Sequence, residues 1–202
     1  MKNLIYLFFV LFTSSFFQSQ VLKTDELIWD QSRKLNVEDF HIKTDDALNP
    51  IKSTVIISWE LMGFSVFNKN FNQNVINKII KSASIVNPDL PNVEQLIDYQ
   101  QTTFDLAEIY ARKMRKDLYV NKSKLWNGFD FASGTLNEHL NEFHRVQVLM
   151  ERQTNSGTDA EKLKYWKDLI KAELIKTEQY DYQNKAKINL EKNHTENSVF
   201  NL

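Results

Sequence analysis

The apolar positions of this chain begin as a block and then become periodic. Leu4 to Phe17 is an unbroken run of apolar and small residues, preceded by a single charge at Lys2 and followed by the polar Gln18-Ser19-Gln20. Beyond it, Leu27 to Phe40 mixes apolar anchors with turn formers and has no clear period, as expected of a segment packing at an edge. Thr54 to Leu61 alternates, with Val55, Ile57, Trp59 and Leu61 on one side, which predicts a strand. Met62-Gly63 then predicts a turn, and Phe64 to Phe71 an antiparallel partner strand. Val75, Ile76, Ile79, Ile80 and Ala83 recur at helical spacing.

Pro88 and Pro91 bracket a helix start at Asn92, with Gln95 three residues on as a capping-box partner. The predicted helix runs to about Val120. One stripe holds Ile97, Gln100, Phe104, Ala107, Ala111, Met114 and Leu118, and its neighbour holds Leu96, Tyr99, Thr103, Leu106 and Tyr110, so the buried face is wide. Asp105, Glu108, Arg112, Lys113, Arg115 and Lys116 are left for the opposite side, with Glu108 placed to pair with Arg112 along the helix. A polar loop with Lys122, Trp126, Gly128 and Gly134 precedes a helix over Leu136 to Arg152. Thr154-Asn155-Ser156-Gly157 breaks it, and a third helix follows from Asp159 to Gln179. The Asn-, Lys- and Glu-rich stretch from Asp181 onward reads as a flexible tail. The fold class is therefore α+β: a small antiparallel sheet near the N-terminus packed on a body of three to four helices.

Composition narrows the chemistry. The 202 residues include 4 Gly and 3 Pro, against roughly 14 and 10 at average usage, which disfavours a turn-rich sandwich or barrel. There is no Cys, so disulfides, thiolate nucleophiles and Cys-ligated metals are excluded, and with 4 His any all-protein zinc site needs most of them. A net charge of −1 provides no footprint for nucleic acid. The opening run is about 14 residues, short of the roughly 20 that span a bilayer. Residues 1–20 thus read as a cleaved signal peptide, 21–180 as the folded domain and 181–202 as the tail. The expected protein is exported, periplasmic or extracellular, without stable membrane insertion after cleavage.

His139 and His144 with Glu142 between them suggest a metal site, but a spacing of five sets the two rings roughly 140° apart on a helix. His41 and His194 have no neighbours of the right kind in sequence. Asp45, Asp46 and Asp130 read as solvated loop carboxylates.

The informative segment is Leu96 to Arg115. It resembles a family of exported bacterial proteins of unassigned function, described as zinc-dependent proteases, whose helix reads approximately L-x-x-H-E-Q-x-H-F-D-x-x-E-x-x-A-R-K-x-R. Gln101, Phe104, Asp105, Glu108, Ala111, Arg112, Lys113 and Arg115 match. A later family segment, Y-D-x-x-T-x-H-G, resembles Met150 to Gly157, with Thr154 and Gly157 kept; Trp29 and Leu35 to Phe40 loosely match its W-x-x-F opening. The resemblance spans about residues 28 to 178 and implies a zincin-like body. In an H-E-x-x-H helix, the imidazoles at i and i+4 bind zinc and the glutamate deprotonates the metal-bound water.

At those positions this chain carries Tyr99 and Thr103 for the histidines, Gln100 for the glutamate and Ser156 for the third histidine. A phenol with pKa near 10, two hydroxyls and an amide provide neither ligands nor base. The sequence therefore predicts no catalytic residue, metal ligand or cofactor. It predicts a degenerate site at Tyr99, Gln100, Thr103 and Ser156, either a hydrogen-bonded polar plug in which Gln100 pairs with Thr103, Tyr99 or Ser156, or simple packing. The expected function is a non-catalytic binding or scaffold module whose partner is a protein or an envelope ligand. The alternative is a hydrolase of metal-independent mechanism using Tyr99, Ser156 or nearby acids in the same cleft.

Overall fold

The alternating segment forms a strand, but its partner is not the next segment along the chain. In the computed structural model, which describes residues 25–60, 71–128 and 130–190, β1 is Glu26–Ile28, β2 Ile42–Lys43, β3 Ile51–Trp59 and β4 Val75–Val86. The helices are α1 Val93–Val120, α2 Asp130–Gln153 and α3 Ala160–Lys176, with short 3-10 turns between them. The expected signal peptide, the Met62-Gly63 turn, most of the Phe64 to Phe71 strand and His194 lie outside the described residues; Phe71 itself opens a 3-10 turn over Phe71–Asn74.

The helical expectation for Val75 to Ala83 is overturned, because this segment is the central strand. Positions 75, 79 and 83 are four apart, a spacing that period 2 satisfies as well as period 3.6, and the dense Val and Ile content favours the strand. Val75, Asn77 and Ile79 face the core at 1% exposure or less. Ile79 pairs with both Val55 of β3 and Leu27 of β1, and Val86 with both Ile51 of β3 and Lys43 of β2. So β3 lies along one side of β4, with β1 and β2 in succession along the other. The β2 pairing is parallel, so the sheet is mixed and not wholly antiparallel.

The β3–β4 register slips once. Lys52 faces Ile85 but Thr54 faces Ile80, so β4 bulges through residues 81–84. The Ser84 hydroxyl closes the bulge, accepting from Thr54 N at 3.0 Å and donating to Ile80 O at 2.7 Å.

Helix α1 sits between this sheet and the α2–α3 pair. Of its 28 residues 18 are buried, far more than one apolar stripe provides. One cluster joins Ile57 and Val75 through Leu106, Tyr110 and Met114 to Phe143, Val146, Trp166 and Ile170. A second joins Trp29, Phe40, Ile79 and Val86 to Ile97 and Phe104.

A helix covered on nearly all sides leaves its charges nowhere to go, and the expected solvent face of α1 is in fact interior. Glu108, Arg112 and Arg115 are each at most 1% exposed. Glu108 Oε1 accepts from Arg112 Nε at 3.1 Å and from Arg115 Nη1 at 2.6 Å. The guanidinium groups use their other donors on distant backbone: Arg115 on Val75 O and Tyr180 O, and Arg112 on Leu174 O and the Asp181 carboxylate. The Asp181 tether holds the first part of the expected tail, residues 181–190, the rest lying outside the described residues: Asp181 and Ile188 are buried, and Asn72 Nδ2 donates to Gln179 O at 2.9 Å and Asp181 O at 3.1 Å.

Smaller corrections follow from local contacts. Asn92 makes no side-chain cap, so the capping box is not formed. Gly134 lies inside α2, which starts six residues earlier than expected, and α3 ends at Lys176. Its N-cap is Asp159, which accepts from Lys162 N at 2.9 Å. Among the described residues, no helix is long and apolar enough to cross a membrane.

Two measurements check this interior. Glu108→Ala leaves two buried guanidinium groups without their shared partner, and urea unfolding should show a loss of about 3–5 kcal/mol. Asp105 gives the pH test. Burial pushes its carboxyl above the usual range, partly offset by hydrogen bonds from Trp29 Nε1 and Gln101 Nε2, each 2.8 Å long. The folded chain holds this proton to higher pH than the unfolded chain, so Asp105's contribution is fullest below 3.8 and is lost as pH rises through the raised folded value. Asp105→Asn removes that loss, so the variant should gain stability relative to the parent as pH rises from acid to neutral in parallel unfolding curves.

Candidate functional site

The four positions singled out in the sequence converge on one groove. Tyr99, Gln100 and Thr103 follow from adjacent turns of α1, and Ser156 approaches from the α2–α3 turn; all four line an open groove of about 830 Å³ whose other walls are residues 47–53 and the end of α2.

The groove is built by two local devices, the first being the bulge in β4. Ser53 falls at the register slip, and its N–H turns to α1, donating to Gln100 Oε1 at 2.9 Å; the Ser53 hydroxyl donates to the same oxygen at 2.6 Å. A backbone N–H can only donate, so this contact fixes which end of the Gln100 amide is oxygen. Gln100 is 8% exposed and lines the groove, and its Nε2 takes no partner among the described residues. The expected plug partners are thus corrected. Gln100 pairs with Ser53 across the sheet, while Thr103 Oγ1 donates to Tyr99 O one turn back at 3.1 Å.

The second device is the turn after α2. Asn155, Ser156 and Gly157 have φ of 49°, 55° and 88°, three successive left-handed residues of which two are not glycine. Thr154, fully buried, holds them: its hydroxyl donates to Met150 O at 2.8 Å and accepts from Gly157 N at 3.1 Å. Gln95, expected to cap α1, instead donates through Nε2 to Gly157 O at 2.8 Å and Thr158 O at 2.9 Å, tying the turn to α1. Gly157 lies directly on the Tyr99 ring, where a Cβ would stand 2.4 Å from Tyr99 Cβ. Thr154 and Gly157 thus act on the geometry of the turn, and Ser156 is left exposed at the groove wall.

The electrostatics are mild. Burial, followed by the negative charge of Glu151, pushes the Tyr99 phenol up to about 12, with the Thr103 hydroxyl opposing. At neutral pH it is protonated. Lys52 and Glu151 are the charged lining residues, of opposite sign. A protonated buried phenol, an amide whose oxygen already accepts two hydrogen bonds and two hydroxyls do not fit zinc, and among the described residues no three His, Asp or Glu side chains are grouped to hold a metal.

The described histidines lie elsewhere. His139 Nε2 meets Asp117 Oδ2 at 2.8 Å between α2 and α1, His144 packs on Phe143, and His41 lies 3.8 Å from Asp25. Asp46 is an exposed turn carboxylate accepting from Leu48 N, and Asp130 starts α2. Sequence reasoning missed Ser53, whose role depends on a bulge with no local signature. It also assigned no role to Glu151, although this residue sits within the matched segment.

Gly157→Ala should cost at least about 2 kcal/mol in urea unfolding, since the new methyl meets the Tyr99 ring and the backbone stays left-handed. Comparison of the chain with protein-family models, with curated proteins and with solved structures finds no match.

Proposed function

We propose that this chain is a non-catalytic exported binding or scaffold module, related to the zinc-protease family it resembles and with a zincin-like body in which the metal position has become a ligand-receiving polar groove. The observation that carries this reading is that the four positions corresponding to ligands and base share one open groove, yet hold only neutral groups, and the Gln100 oxygen is already engaged by Ser53. Export to the periplasm or beyond is supported by the apolar run after Lys2, and a protein or envelope ligand is the partner class.

A metal-independent hydrolase acting in the same cleft is the second reading, favoured by the openness of the groove and by Glu151 standing near Tyr99 and Ser156. Against it, the Ser156 hydroxyl has no hydrogen bond to a base among the described residues, so it lacks the activation a serine nucleophile needs.

The test is direct. The exported form, dialysed against zinc and analysed by elemental mass spectrometry, should retain substoichiometric metal and leave labelled casein intact. Stoichiometric zinc with chelator-sensitive cleavage would overturn the reading. Chelator-insensitive cleavage abolished by Ser156→Ala would replace it with the second.

A further inference from the structure

We infer that the groove is a binding site for a short neutral oligosaccharide, with the Gln100 amide as the donor that reads its oxygen atoms. This deepens the proposed binding role and rests on it.

The first observation is the fixed orientation of Gln100. Gln100 is nine-tenths buried and lines the cavity, and its oxygen is held by two Ser53 donors, so its two amide hydrogens are left without a protein partner among the described residues. A buried amide oriented in this way is prepared to receive an acceptor oxygen without reorganising. The Tyr99 side chain lines the same space beside Thr103. Thr103 Oγ1 has given its proton to Tyr99 O and presents only lone pairs, as does the Glu151 carboxylate.

A ligand must therefore both accept and donate, which hydroxyl groups do. It should also be uncharged. The charged residues of the lining are Lys52 and Glu151, one of each sign, while half of the lining residues end in an amide or hydroxyl. Ile85, Leu90 and Leu96 provide an apolar flank for the C–H face of a sugar ring. The volume of about 830 Å³ falls within the range of about 300–1,000 Å³ common to small-ligand sites. An extended peptide pairing along β3 fits less well, because the Ser53 N–H it would need is already donated to Gln100.

The experiment is a titration of the isotope-labelled exported form, followed by two-dimensional NMR at the Gln100 side-chain amide, with an N-acetylglucosamine trimer in one arm and a glucose trimer in the other. Saturable displacement of that resonance by either sugar is expected. Binding should weaken roughly tenfold in Gln100→Glu, which keeps the Ser53 contacts but loses the donors, the worth of one hydrogen bond. Ser156→Ala, at an exposed position, should weaken binding without disturbing the fold. The proposal is overturned if neither sugar moves the resonance at millimolar concentration, if both variants bind as the parent does, or if an acetylated peptide moves it while the sugars do not. Should a sugar bind and be cleaved, the saccharide site stands and the non-catalytic reading falls. If no sugar binds and the chain still neither holds zinc nor cleaves casein, the saccharide site falls and the non-catalytic reading stands.

Discussion

A single buried carboxylate organises this protein. Glu108, fully sealed at the centre of α1, is shared by Arg112 and Arg115, and through these two guanidinium groups the helix reaches Val75 on the central strand, Leu174 near the end of α3, and Tyr180 and Asp181 beyond it. Charges taken out of water are tolerable only when paired and fully hydrogen-bonded. Each chain segment that supplies an acceptor is held to one position by that requirement. Trp29 extends the arrangement, lying under Arg112 at 5.1 Å while its indole N–H donates to Asp105. The apolar clusters on either side supply most of the burial, but hydrophobic contact is non-directional, whereas each guanidinium N–H meets one particular acceptor.

The groove depends on that fixed frame without sharing its chemistry. Moving along α1 from Glu108 toward its N-terminus, the buried polar side chains change from a carboxylate bonded to two guanidinium groups to the amide and hydroxyl groups of Gln101, Gln100 and Thr103. Gln101 still serves the frame, accepting from Leu35 N and donating to Asp105, whereas Gln100, one residue earlier, faces the other way into the cavity. A helix thus carries an amide bonded within the core and an amide lining the groove side by side, and 100° of rotation separates them. The strained turn at 155–157 is the counterpart on the opposite wall. Its left-handed backbone is maintained by Thr154 and Gln95, and strain held in place by surrounding contacts is characteristic of positions where a side chain must be presented.

The positions that match the resembled motif and those that differ from it fall into two physical groups. Asp105, Glu108, Arg112 and Arg115 build the buried polar centre, and Thr154 and Gly157 build the turn, so each has a structural task independent of metal. Tyr99, Gln100, Thr103 and Ser156 line the groove, Gln100 also joining α1 to Ser53 and Tyr99 packing under Gly157. Substitution there changes what the cavity receives while leaving the frame that shapes it.

Much of this was legible in the sequence. The extent of α1, the helices that follow it and the β3 alternation come from local periodicity, and the four groove positions came from the resemblance of the α1 segment and of the turn after α2 to a family motif. What the sequence alone could not decide is everything set by what lies across from a residue. Val75 to Ala83 satisfies two periods at once, and only neighbours on both edges make it a strand. Glu108, Arg112 and Arg115 read as a solvated face because a helix sequence does not record how many sides are covered. Ser53 meets Gln100 through a register slip that depends on Ser84, thirty-one residues away, and Asp181 is held by an arginine rather than by its own surroundings. Local pattern determined the elements and the chemistry available to them; long-range pairing and burial decided which charges turn inward and which amide faces the groove.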